Sequence, residues 1–257
     1  MKIVVAIKQV PARDSQLRIE PGDPWIHEAD LNYEINEPDA YALEESLQLK
    51  EKHGGEVIVL CAGPERATQT IREALAKGAD RAIHIEEDDL SSADPLALAK
   101  LMAKALESEK PDLILTGLQS DDYGYGQTGV ILAGLLGVPS ATIIMSVDVD
   151  GSSIKVKREL ENGWFQHVEM SLPALLTMQS GSNKLRYATL MGIKKAKTKE
   201  IRRLTPSELG AANPPANIRL SRVYLPERAK NTQLFEGNPA EAAAKLVEKL
   251  KFEARVI

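Results

Sequence analysis

The sequence predicts an α/β fold: a parallel sheet with helices on both faces, extended by an antiparallel hairpin and a C-terminal arm. Three observations predict it. Short aliphatic runs of the buried parallel-strand kind, at Ile3–Ile7, Val57–Cys61, Ala82–Ile85 and Leu113–Thr116, alternate with helical stretches as far as Pro139. Strand signals then follow one another without intervening helices, with Asn162-Gly163 as a tight-turn pair. From Thr205 onward the chain turns proline-rich and leaves the globular pattern.

Taken in order, the opening MKIVVAIKQV is too short in its apolar part for a signal peptide and lacks a small-residue cleavage site, so it reads as the first strand. Asn36 is an expected N-cap, with Pro38 in the first turn and Asp39 at the capping-box position. Ala42, Leu43 and Leu47 form this helix's apolar stripe, and Gly54 and Gly55 signal its end. A second helix is expected from Glu65 through Ile71, Ala74 and Leu75 to Gly78, and a third from Pro95 through Leu98, Leu101 and Ala105 to Ser108. A fourth opens at Gln127, where VILAGLL follows.

Beyond Pro139, the segments Ala141–Val149, Ile154–Leu160, Trp164–Met170 and Ala174–Met178 read as consecutive strands of an antiparallel edge or flap, with Trp164 and Phe165 on its packing surface. Residues 183–199 are basic and carry Leu190, Met191 and Ile193 without a long periodic partner, which suits either a plain surface loop or a docking loop for an acidic partner. The segment Thr205-Pro206-Ser207-Glu208 and AANPPAN at Ala211–Asn217 lead to a final helix opened by Asn238-Pro239, with Ala243, Leu246, Val247 and Leu250 as its stripe. That helix packs either on its own domain or on a partner. The expected division is a nucleotide-binding domain at 1–204 and an arm at 205–257.

Composition narrows the classes. With 257 residues and 43% hydrophobic content, the chain can bury one sizeable core plus an appendage. A net charge of −5 does not supply the basic face a general nucleic-acid binder needs. No apolar run approaches the ~20 residues that span a bilayer. Cys61 is the sole cysteine, which excludes an internal disulfide and a thiol cluster for metal. A cytoplasmic location is the expectation. His27, His53, His84 and His167 are scattered without metal-site spacing, and the acidic run Glu86–Asp89 reads as a solvated turn, so no metal is expected.

The stretch Asp112–Thr128, DLILTGLQSDDYGYGQT, carries the chemistry. A buried-strand signal runs into a glycine-rich loop and then a helix start, a junction suited to a nucleotide. Gly117, Gly124, Gly126 and Gly129 allow close backbone approach, and helix-terminal amides favour a phosphate. The letters GYGQTG match G-x-G-x-x-G, yet the loop from Gly117 to Tyr123 separates them from the strand, unlike a dinucleotide fingerprint. Asp121 and Asp122 repel phosphate but can accept from ribose hydroxyls or an adenine amino group. A solvated Gly/Asp-rich loop without ligand is the plain alternative. No Walker sequence occurs, so P-loop ATP hydrolysis has no support.

Five stretches together resemble the β-subunit family of electron transfer flavoproteins: VVAIKQV, NEPDAYALEESLQLKEK, IREALAKGADRAIHI, GLQSDDYGYGQTG and LRYATLMGIKKAKTK, in that order and over nearly the whole chain. The resemblance implies an adenine-nucleotide α-hydrolase-like fold and an electron carrier rather than an enzyme, with no catalytic residue. It implies pairing with a larger α subunit that holds most of an FAD. The heterodimer would take electrons from flavin dehydrogenases, such as the acyl-CoA dehydrogenases of fatty acid β-oxidation, and pass them to a membrane quinone oxidoreductase or another acceptor. No direct membrane insertion is implied.

The same resemblance implies a structural AMP. Its family positions carry over to Ala6, to Asn36, Glu37, Pro38 and Asp39, to Ala62, and to the run Gly117, Leu118, Gln119, Ser120, Asp121, Asp122, Tyr123, Gly124, Tyr125, Gly126, Gln127 and Thr128. Val10–Arg13 corresponds to where the β subunit meets the flavin edge, and Arg13 stands where some relatives have an aromatic residue. Residues 183–199 match the family's recognition loop for the dehydrogenase, with Leu190 as its inserted leucine and Met191 and Ile193 beside it. An electron-bifurcating branch binds a second FAD in place of AMP and has valine-glycine-proline after the loop glutamine. Here Thr128, Gly129 and Val130 follow Gln127, which favours AMP over the second FAD. A stand-alone adenine-nucleotide protein of universal-stress type and an ATP-dependent activating enzyme are further alternatives.

Overall fold

The computed structural model describes residues 1–20, 22, 23, 25–88, 90, 93–210, 217, 218, 220–226 and 232–257. The sequence expectations for 211–216 and for Asp89 lie outside the described residues. The chain forms two compact units, one of Met1–Arg18 with Ile26–Ser221 and one of Ile19–Trp25 with Arg222–Ile257.

In the first unit the elements follow as β1 (Lys2–Ile7), β2 (Gln9–Pro11), β3 (Tyr33–Ile35), α1 (Glu37–His53), β4 (Glu56–Gly63), α2 (Ala67–Lys77), β5 (Arg81–Glu86), α3 (Pro95–Leu106), β6 (Leu113–Gly117), α4 (Thr128–Leu136), β7 (Ser140–Asp150), β8 (Ser153–Glu159), β9 (Phe165–Ser171), β10 (Ala174–Met178), α5 (Leu190–Ala196) and β11 (Ile201–Leu204). The second unit contains α6 (Pro239–Glu248), which begins with a complete capping box between Asn238 and Glu241. No residue of α6 is buried.

Among the described residues, nine strands form one sheet in the order β11-β5-β4-β1-β6-β10-β7-β8-β9. Neighbours run parallel from β11 to β7, and β7, β8 and β9 make an antiparallel meander at one edge. Period-2 alternation sorts the central strands between two cores. Ile3, Val5 and Ile7 of β1 face Leu43 and Leu47 of α1 and Ile71 and Leu75 of α2, while Val4 and Ala6 face Leu101 and Met102 of α3 and Leu132 of α4. The strand order reverses beside β1: the chain leaves β1 for β4 and β5, then returns to lay β6 on the other side of β1. The carboxyl ends of β1 and β6 therefore flank a topological switch point, the place where open α/β sheets bind ligands.

Three expectations are corrected, and one edge strand is added. Ala174–Met178 does not join the flap; β10 returns to the sheet interior, parallel to both β6 and β7, because its five residues are buried on both faces. Residues 183–199 are not an irregular loop, since Thr189 caps a short helix by accepting from the Gly192 amide at 3.0 Å. The following IRRL pairs with β5 as an edge strand, where exposure accommodates two adjacent arginines between apolar ends. Trp164 is 72% exposed rather than packed, while Phe165 carries the Lys157 ammonium over its ring at 3.8 Å. The Asn162-Gly163 turn forms as expected, with φ of 58° and 77°.

Candidate nucleotide site and docking surface

Asn36 and Asp39 open α1 but do not cap it in the expected way. The Asn36 side chain, buried, spends both of its polar atoms on the loop after β6: Nδ2 donates to the Gln119 carbonyl at 2.9 Å, and Oδ1 accepts from the Asp121 amide at 2.8 Å. Asp39 does not reach back to the Asn36 amide, which instead donates to the Lys8 carbonyl at 2.9 Å. Its carboxylate bridges two strand ends, accepting from the Lys8 amide and the Gly117 amide at 2.8 Å each. The reason is positional. Parallel strands β1 and β6 end side by side with unpaired amides, and a short carboxylate at the next helix start reaches both.

Burial pushes the Asp39 carboxyl up to about 7, against the pull of these two amide donors. Gly117 is required at this contact, because a Cβ there would lie 2.3 Å from Asp39 Oδ1 and 2.8 Å from Pro38 Cβ. Gly129 is a second close approach, where a Cβ would meet Thr116 Oγ1 at 2.7 Å and Thr177 Cγ2 at 2.8 Å. These two glycines press the loop and the start of α4 onto the sheet.

The loop between them, residues 118–127, is held by its own charges. Lys8 Nζ lies 2.6 Å from Asp122 Oδ2 and 4.6 Å from the centre of the Tyr123 ring, which stacks on Tyr125 with centroids 5.5 Å apart. Arg13 pairs with Glu37 and stands 3.6 Å from Asp121 Oδ2. The Leu118 amide donates to the Met178 carbonyl at 2.9 Å, and the Gly124 amide to the Ser120 carbonyl at 2.9 Å. Gly124 and Gly126 both take φ of 63°. Both carboxylates thus have cationic partners within the chain, which offsets the phosphate repulsion their charge suggests. Among the described residues, the Gln127 side chain makes no capping bond and the first turn of α4 carries no acid. The first amides of α4 are therefore available to an anion.

Of the residues singled out in sequence, Asn36, Glu37, Pro38, Asp39, Arg13 and the run Gly117–Thr128 come together at this one end of the sheet. Ala6 and Ala62 lie near the ends of β1 and β4, with Ala6 buried. Lys8, Met178, Thr116 and Thr177 were not anticipated. For Lys8 the signal was present, a lysine directly after an apolar strand; the three others depend on β10 lying beside β6.

Leu190, Met191 and Ile193 sit apart from this loop, on α5, and are 82%, 62% and 46% exposed. Lys194 and Lys195 follow on the same helix. The stem before it is tied to α1: Arg186 grips the buried Glu44 through Nε at 2.8 Å and Nη2 at 3.0 Å, and Glu51 through Nη1 at 2.6 Å. This geometry presents apolar side chains among cations on a supported element. Among the described residues, no three His, Cys, Asp or Glu side chains gather to hold a metal ion, and no helix is long and apolar enough to cross a membrane.

Residues 25–209 match the family profile described as electron transfer flavoprotein domain. The chain is similar to proteins named electron transfer flavoprotein subunit beta from Methylophilus methylotrophus, at 36% identity over 96% of this chain and 97% of that one, and from Bacillus subtilis, at 36% identity over all of both. The Homo sapiens protein of the same name is 35% identical over 100% of this chain and 99% of its own.

Proposed function

Because the chain belongs to the electron transfer flavoprotein family, matching its β subunits from end to end, we propose that it pairs with an FAD-bearing α subunit as a single-flavin electron carrier. It takes electrons from flavin dehydrogenases through the 183–199 segment, and the heterodimer passes them to a quinone oxidoreductase or comparable acceptor. Residues 205–257 pack on the α subunit. The flavin supplies the redox chemistry, and the residues of this chain bind, orient and shield.

The observation that carries the nucleotide part is the construction at the switch point. Gly117 and Gly129 bring backbone close, Asp39 and Asn36 fix the loop, and the α4 amides lie open to a phosphate. These features suit AMP in a structural role. Thr128, Gly129 and Val130 after Gln127 favour it over a second FAD. The test is to co-purify the chain with its α subunit, release bound ligands with acid and count them by chromatography. One FAD and one AMP per heterodimer is the expected result. Two FAD without AMP would make the complex a bifurcating one.

A further inference from the structure

A seven-residue helix cannot hold itself in water, and α5 turns its large apolar side chains outward, burying only Ala196. What holds it is α2. Gly192 lies so close to the last turn of α2 that a Cβ would stand 2.2 Å from the Ala76 carbonyl oxygen. Arg72, on α2, donates through Nη1 to the carbonyls of Ala196 at 2.6 Å and Lys199 at 2.7 Å, where α5 runs out of partners. Lys199, just beyond α5, returns the contact: its ammonium donates to the Leu75 carbonyl at 2.9 Å and to the Ala79 carbonyl at the end of α2. The C-terminal end of each helix is thus closed by a cation, Arg72 from α2 and Lys199 from the turn after α5, where free carbonyls and the helix dipole favour positive charge. The Glu200 carbonyl then accepts from the Ala82 amide at 3.0 Å and delivers the chain into β11.

We propose that Arg72, Lys199 and Gly192 are positioning residues for partner docking: they lock α5 onto α2 and so fix the direction in which Leu190 and Met191 project. This rests on the reading of 183–199 as the dehydrogenase-docking segment. Arg72 acts through backbone carbonyls of the segment, not through the partner, so its role separates from that of Leu190. A docking element already immobilised loses little further entropy on binding, which is how preorganisation raises affinity.

The test uses the heterodimer with its α subunit, in wild-type form and as Arg72→Ala, Arg72→Lys, Lys199→Met and Leu190→Ala. Hydrogen exchange over residues 190–199 reports the lock. Electron transfer from an acyl-CoA dehydrogenase reduced by its acyl-CoA, chosen because it reduces the wild-type heterodimer, gives KM for the dehydrogenase and kcat. Arg72→Ala and Lys199→Met are expected to speed exchange in 190–199 at least tenfold and to raise KM severalfold with kcat and bound flavin unchanged. Arg72→Lys, which can still donate to both carbonyls, should restore most of both. Leu190→Ala should raise KM without altering exchange. Unchanged exchange in both Arg72→Ala and Lys199→Met overturns the lock, and so does an unchanged KM in these variants beside a raised KM in Leu190→Ala. An unchanged KM in Leu190→Ala removes the docking reading and the positioning role with it. If Arg72→Ala fails to assemble, Arg72→Lys and Lys199→Met decide the question by the same readings.

Discussion

Asp39 Oδ1 accepts the Gly117 amide at 2.8 Å while its other oxygen accepts the Lys8 amide at the same distance. One side chain therefore ties the first helix to the ends of two adjacent parallel strands, and the placement of the loop at 118–127 depends on it.

The Asp39 carboxyl is pushed up to about 7 by burial, against an ordinary 3.8. A folded-state pKa above the unfolded one gives a contribution that is full below pH 4 or so and is lost as pH rises toward 7, because the unfolded chain releases the proton first. Asp39→Asn removes this titration and leaves one of two amides facing an NH2 group. The substitution should thus cost more at pH 5 than at pH 8, by up to roughly 2.5 kcal/mol. Urea unfolding of both forms at the two pH values checks it. An equal cost at both would show that Asp39 ionises normally in the fold.

Gly117→Ala forces a Cβ against Asp39 Oδ1 and the Asp39 amide nitrogen. Overpacking of this kind should cost about 1–3 kcal/mol and loosen the loop. Gly124→Ala is the comparison, since its nearest neighbour is the Ser120 carbonyl at 3.9 Å and only its φ of 63° opposes a side chain. That alone is worth about 1 kcal/mol. Denaturant melts should rank Gly117→Ala as the more damaging, and the reverse order would contradict the close contact.

Burial acts most strongly and would raise the Glu44 carboxyl, but the Arg186 guanidinium and amide together with the Gln48 side chain outweigh it and hold the group below the usual range. A depressed pKa contributes stability above pH 4.5 or so that is lost as pH falls through the folded value. Arg186→Ala leaves Glu44 buried without its cation and should cost about 2 kcal/mol at pH 7, less than for a fully buried pair because Arg186 is partly solvated. The deficit should shrink near pH 4, where Glu44 can take a proton. Melting both forms at pH 7 and pH 4 tests it.

Cys61 is fully buried in β4, and burial pushes its thiol up to about 12, with Asp39 adding to the effect. Thiolate is the reactive form. The native protein at pH 8 should resist alkylation by iodoacetamide for hours and react within minutes in denaturant. Rapid labelling of the folded chain would mean that β4 opens locally.

Much of the sheet was legible because buried parallel strands announce themselves as aliphatic runs, and Val57–Cys61 and Leu113–Thr116 need no partner to be recognised. β10 was found as a strand but misassigned as to neighbours, since five apolar residues do not say which strands flank them. β11 went unseen because an edge strand can be half arginine. At the site, Asn36 and Asp39 carried a helix-start signal, and that signal was right about place and wrong about use. Capping preferences describe a side chain and its own helix, whereas here the neighbouring strand ends compete for the same oxygens and win. Short α5 had no periodicity to detect, being stabilised by Arg72 more than a hundred positions away in sequence.

Where Gly192 rests on the Ala76 carbonyl, nothing but main chain separates α5 from the body beneath it. Main-chain dimensions do not change with sequence, so the residues at 190, 191, 193, 194 and 195 form an exchangeable face on a fixed mount. Any of these outward side chains can be exchanged while the main-chain contact of Gly192 with Ala76 keeps the helix seated.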